Sequence, residues 1–225
     1  MDEHRSNAGR SVEPLRLPDG HGAGGAGARA GGTLLGLTTS EGVLVTADTR
    51  TTRGQVVRGE RARKVAEIHP TAVLGATNDL GAARAFVRAV EAEADRYETS
   101  RGEPIDVTAL AAVAAGELRT GDPPDGAFLL GGVDDDGPHV FTLDRQDGAL
   151  ETPYAAVGSG RAIAYGVLDA AGPGSLTTTE ARRTAGRALR SAAERDGRTG
   201  VGVVVAEVTA EGVAISRYDS VEDLP

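Results

Sequence analysis

Lys64 is the only lysine among 24 basic residues. Everywhere else the chain meets its need for positive charge with arginine, which cannot release its proton in a protein, whereas a buried lysine can. A lone lysine in an arginine-rich chain therefore marks a position that needs a titratable amine or a head smaller than a guanidinium. Sixteen residues earlier, Ala47-Asp48-Thr49-Arg50 ends a strand-like run with a carboxylate. A Lys64–Asp48 pair withdrawn from solvent holds the amine in place and sets its charge state. Gly158-Ser159-Gly160 puts a hydroxyl on a backbone kink, and Asp196 follows a helical run. Taken singly, Asp48 also reads as a turn former, Ser159 as a helix cap and Asp196 as a loop residue. Together they form a constellation of one amine, one hydroxyl and two carboxylates.

Other chemistries find less support. The chain has no cysteine, which excludes disulfides, thiolate metal sites and a cysteine nucleophile. Its four histidines are His4, His21, His69 and His139. None belongs to a paired-ligand motif, so neither a histidine triad nor a zinc site is expected. No glycine-rich stretch has phosphate-loop spacing, and Gly131-Gly132 reads as strand flexibility. The turn Asp134-Asp135-Asp136-Gly137 lacks the spacing of a calcium loop and reads as a solvated turn. No metal or cofactor is expected. A net charge of -9 argues against nucleic acid, and no apolar run approaches membrane-spanning length. These features predict a soluble, cytoplasmic protein.

The elements that must position the constellation follow from periodicity. Residues 1–32 are glycine-dense and lack apolar periodicity, so they read as a disordered arm or a removable propeptide. From Thr33, the runs Leu34–Thr39 and Val43–Ala47 form a hairpin around Ser40-Glu41-Gly42. A weaker pair follows at Val65–Ile68 and Thr71–Leu74. A helix capped by Asn78 or Asp79 buries Leu80, Ala83, Val87, Val90, Ala94 and Tyr97. A second runs from about Asp106 to Leu118. Strands resume at Phe128–Val133, His139–Leu143 and Tyr154–Val157. Helices return near Arg161–Ala170 and Thr178–Arg195, the latter opened by a Thr177/Glu180 capping box. Val201–Thr209 and Val213–Arg217 close a domain spanning 33–218, and 219–225 is a polar tail. Strands and helices arrive in groups, which favours antiparallel sheets with segregated helices. The simplest arrangement is an α+β sandwich of four layers, αββα.

The segments GLTTSEGVLVTADTRTT, RKVAEIHPTA, LGAARAFVRAVEAEADRYETSRGEPIDVTAL, the stretch from Leu129 to Asp169 and ALRSAAERDGRTG together resemble the β-type subunits of proteasomes, of archaeal type, over roughly residues 31–218. The resemblance implies the N-terminal-nucleophile hydrolase fold and a threonine-type endopeptidase acting on unfolded polypeptides. It also implies stacked rings shared with α-type and other β-type subunits. In this family a propeptide is cut before a threonine, whose hydroxyl attacks a peptide carbonyl to form an acyl-enzyme that water releases. The freed α-amine, with an ordinary pKa of about 8, takes the hydroxyl's proton. By position, Asp48 and Lys64 match the family's structural aspartate and catalytic lysine. Ser159 and Asp196 match the pair that orients the amine, and Thr33 is the candidate nucleophile.

Three departures bear on activity. Aligned at Gly36 without a gap, Gly32 stands at the nucleophile position and Thr33 falls one residue late. A one-residue shift along a strand turns a side chain to the other face, and only a deletion between Thr33 and Gly36 restores Thr33. Asn78 stands where the family has an oxyanion-hole glycine, and Arg161 and Thr199 replace two serines. Three readings stay open: an active threonine endopeptidase, a catalytically degenerate structural subunit, and a small-amide hydrolase on the same fold.

Overall fold

The structure is a computed structural model, which describes residues 31–225 apart from 55, 78–80, 82, 122–125, 173–175 and 225. The first hairpin is β1 (Thr33–Thr39) and β2 (Gly42–Asp48). These strands lie inside an antiparallel sheet of order β10-β1-β2-β11-β12, completed by β10 (Tyr154–Gly158), β11 (Val203–Thr209) and β12 (Gly212–Tyr218). The second five-stranded sheet runs β5-β6-β7-β8-β9. Its strands are β5 (Val65–His69), β6 (Ala72–Ala76), β7 (Phe128–Asp134), β8 (Gly137–Asp144) and β9 (Gly148–Glu151). A separate two-stranded hairpin, β3 (Thr51–Arg53) and β4 (Val56–Gly59), joins the sheets in sequence. Sequence periodicity gives no sign of it, because three- and four-residue strands are too short to show alternation. The same is true of β9.

Strand alternation builds the layers. Along β1, Leu34 points into the space between the sheets, while Leu35 and Leu37 point the other way. In β11, Val204, Ala206 and Val208 face the other sheet and Val203 and Val205 face outward. Gly36 lies so close to the second sheet that a Cβ would sit 2.8 Å from Val140 Cγ1. The outer face of the first sheet is covered by α3 (Arg161–Ala171) and α4 (Thr178–Arg195) through Ala181, Ala185, Ala188, Leu189 and Ala192. The outer face of the second is covered by α1 (Arg84–Arg101) and α2 (Val107–Thr120). This is the expected αββα sandwich.

Helix ends are capped by the residues that the sequence places there. Thr177 and Glu180 form the capping box of α4, and Asp106 caps α2 by accepting from Ala109 N. Asn78, Asp79 and Leu80 lie outside the described residues, and α1 begins at Arg84. Its buried face includes Phe86 as well as Val90 and Ala94. The C-terminal segment differs from a plain polar tail. It forms a 3₁₀ turn at Val221–Asp223 that brings Val221 and Leu224 against the α3–α4 layer.

Candidate active site

The constellation gathers at one end of the sandwich, where β1 begins and β2 ends. Lys64 and Asp48 are both fully buried, and Lys64 Nζ donates to Asp48 Oδ1 at 2.8 Å. Asp48 holds more than the lysine. Oδ1 also accepts from Thr33 N at 2.8 Å, and Oδ2 accepts from Arg50 N and Gly200 N, each at 2.8 Å. One carboxylate thus ties together the start of β1, the end of β2 and the loop before β11. Burial pushes the Lys64 ammonium below its ordinary value of 10.5, against the stabilising charge and hydrogen bond of Asp48.

The second half of the constellation surrounds a backbone amide. Gly32 N donates to Ser159 Oγ at 3.1 Å, and Ser159 Oγ donates to Asp196 Oδ2 at 2.6 Å. Thr199 Oγ1 donates to the same Asp196 oxygen at 2.6 Å. Gly158, with φ of 100°, makes the kink that presents Ser159, and Ser159 N returns a hydrogen bond to Gly32 O at 2.9 Å. A Cβ on Gly158 would meet Gly32 O at 2.2 Å, so the kink needs glycine on steric grounds as well. Asp196 is the C-cap residue of α4, placed there by the end of the helix.

Asp48, Lys64, Ser159 and Asp196 therefore converge, and they converge on Gly32. A Cβ built on Gly32 would lie 2.3 Å from Lys64 Nζ and 2.5 Å from Asp48 Oδ1. The face of Gly32 that carries no side chain is the face turned toward the amine. Thr33 is arranged differently. Its main-chain N–H reaches Asp48, but its hydroxyl pairs with Thr199 Oγ1 at 2.8 Å. It also lies against Gly160, whose built Cβ would be 2.2 Å from Thr33 Oγ1. Alternation along β1 explains the division. Thr33 shares the parity of Leu35 and Leu37, which face the α3–α4 layer, and Gly32 shares that of Leu34 and Gly36, which face the second sheet. Position 32 points at Lys64, and the Thr33 hydroxyl lies on the other side of its sheet. The expectation of Thr33 Oγ1 beside Lys64 is not what this register delivers: Leu34 pairs with Ala47 and Gly36 with Val45 in unbroken alternation.

Sequence reading missed part of the network. The amides of Arg50 and Gly200 on Asp48 left no side-chain signature, although Asp48-Thr49-Arg50 is the kind of turn in which an aspartate binds the amide two residues on. The junction of Thr33 with Thr199 was readable only once the parity of β1 was known. Asn78 lies outside the described residues. Arg161 donates to Gly158 O at 3.2 Å and so braces the kink.

Comparison with known proteins shows the family of the chain. The proteasome subunit family matches residues 28–208. The proteasome subunit beta of Halorhabdus utahensis is 41% identical over 196 residues, covering 87% of this chain and 84% of that protein. Proteasome subunit beta 1 of Haloarcula marismortui is also 41% identical, over 85% of this chain and 80% of its own length. The Halobacterium salinarum proteasome subunit beta is 40% identical over 82% and 76%. With its four-layer sandwich, the chain belongs to the proteasome subunit family as a β-type member.

Proposed function

We propose that this chain is a non-catalytic β-type subunit of a proteasome core particle, one that keeps the frame of the hydrolytic site and lacks its nucleophile. The observation that carries this is the bare α-carbon of Gly32 facing Lys64 Nζ and Asp48. A threonine peptidase needs a hydroxyl there, beside the amine, with a free α-amine to take its proton. Position 32 supplies no hydroxyl. Thr33 supplies one, but pairs it with Thr199 on the opposite face of the sheet.

Gly31 and Gly32 pass through the site in a slot that admits no side chain. A Cβ on Gly31 would meet Thr52 Oγ1 at 2.5 Å, and Gly32 has a φ of 86°. Ser159, itself bonded to Asp196, accepts from Gly32 N. The frame is therefore structural: it locks the start of β1 onto β10 and α4. Family membership places the chain among subunits that assemble with other proteasome subunits. In this reading its partners are α-type subunits and β-type subunits that carry a nucleophile, and the unfolded polypeptide is cut by those neighbours in the cytoplasm.

Hydrolysis of fluorogenic peptides by the assembled protein tests this. The wild-type chain, assembled without any other β-type subunit, is expected to show no turnover. Turnover by the wild type that Thr33→Ala abolishes would overturn the proposal and restore Thr33 as nucleophile.

A further inference from the structure

We infer that the groove between α4 and the C-terminal 3₁₀ turn is a binding site for an oligophosphate, gripped by Arg183, Arg187 and Arg190. The inference is independent of whether the chain is catalytic, since neither Gly32 nor Lys64 lines the groove. The sequence of α4 sets up the site. Residues 183, 187 and 190 share one face of the helix, opposite the stripe of Ala181, Ala185, Ala188 and Ala192 that packs on the sheet. All three arginines are exposed. Like charges three and four residues apart repel, so the stripe costs helix stability unless something neutralises it. Among the described carboxylates, only Glu222 pairs with it, at 3.3 Å from Arg190. Arg187 donates to Thr184 Oγ1 at 3.3 Å, and neither it nor Arg183 has a carboxylate within ion-pair distance among the described residues. Glu180, the other acid of the groove, accepts from Thr177 N and Oγ1 at 2.9 Å each, and Arg183 acts on it only as a more distant charge.

The groove has room for the missing counter-charge. Its volume is about 590 Å³, the size of a small-molecule site. Its charged lining is four arginines against two glutamates, in a chain whose net charge is -9. Gly186 lies inside the arginine stripe, and its lack of a side chain leaves the surface open down to Leu224, which a Cβ there would meet at 3.1 Å. Arg182 on the same wall pairs with Glu207 through a terminal nitrogen, while its Nε is buried with no acceptor among the described residues. A buried donor left unmade is costly, and an oxyanion in the groove is the acceptor it lacks. Guanidinium forks match phosphate oxygens in pairs. Residues 183 to 190 span about 10 Å of helix, further than one phosphate reaches, so the stripe selects a chain of them. Ala171, Leu176 and Val221 add apolar surface that a nucleoside on that chain would cover.

Isothermal titration of the purified full-length chain with tripolyphosphate, ATP and inorganic phosphate tests this. Tripolyphosphate is expected to bind, and inorganic phosphate to bind about tenfold more weakly or worse. ATP that binds more tightly than tripolyphosphate identifies a nucleotide as the source of the phosphates, and ATP that binds no more tightly identifies free polyphosphate; either sustains the site. Arg183→Gln/Arg187→Gln is expected to weaken tripolyphosphate binding by about tenfold or more. Because it relieves like-charge repulsion, that variant should melt no lower than the wild type without ligand. Arg53→Gln/Arg58→Gln, which alters exposed arginines of the β3–β4 hairpin, is expected to bind as the wild type does. Absence of tripolyphosphate binding, or unchanged affinity in the α4 variant, would overturn the inference. So would an equal loss in the hairpin variant, which reduces the effect to general charge attraction, or a lower melt of the α4 variant, which makes its arginines structural. Peptide hydrolysis, the test of the non-catalytic reading, does not bear on any of these outcomes.

Discussion

Asp48 is a buried charge that organises the backbone around it. Its two oxygens take one ammonium and three backbone amides, from Lys64, Thr33, Arg50 and Gly200. Removing the carboxylate strands four donors at once, whereas removing the amine leaves the carboxylate with three. Breaking a buried pair from one side costs about 3–5 kcal/mol. Asp48→Ala is accordingly expected to lose at least the upper end of that range in urea denaturation, and Lys64→Met, whose carboxylate keeps three amides, the lower end, about 3 kcal/mol. A larger loss in Lys64→Met would mean that the ion pair, not the amide cluster, holds this end of the sandwich. Gly32 sits above the pair with a left-handed φ and no space for a Cβ, so the pair and the glycine are adapted to each other.

At the scale of elements, two histidines with no role in the site buttress the connection between α1 and α2. His139 on β8 hydrogen-bonds Asp134 at the end of β7, at 3.1 Å, and Glu151 on β9, at 2.6 Å. Asp134 in turn accepts from Val107 N at the start of α2, and from Asp136 N in its own turn. The acidic turn is thus a helix anchor. His69 on β5 does the same for Glu98 on α1, which accepts from Ile105 N. Burial pulls the His139 imidazole down, but the hydrogen bond to Glu151 and the charges of Asp134 and Glu151 outweigh it and raise it above 6.5. A raised histidine stabilises the fold fully below its unfolded value and loses that contribution as pH rises through the folded one. Thermal melts from about pH 6 to pH 8 should therefore show a loss in the wild type, under about 1 kcal/mol, that His139→Gln removes. Equal slopes in both proteins would rule out this role. These contacts also mark the limits of sequence reading. The αββα layers were legible because apolar residues alternate along β1, β2 and β11 and recur at helical spacing along α4. Lys64 was legible as the one lysine, and Asp48, Ser159 and Asp196, each ambiguous alone, were legible together with it through the family resemblance. The hydrogen bonds of His69 and His139 were not, because their partners lie on other strands and helices. The parity of Thr33 hung on a register that one residue reverses, and only the pairing of β1 with β2 and β10 decides it.

At the scale of the whole molecule, the proposed reading is of a β-type subunit in which the side chains around Gly32 serve as scaffold. Gly31 and Gly32 lead into β1, and Gly32 N donates to Ser159 Oγ, which with Thr199 Oγ1 is bonded to Asp196. A core particle containing this chain would owe its activity to other β-type subunits, and its rings would hold cutting and non-cutting positions side by side. The intact mass of the chain recovered from assembled particles tests this most directly. A chain that still carries Gly31, Gly32 and Thr33 joined, whatever its trimming further upstream, is the predicted result. A mature chain whose first residue is Thr33 would contradict it.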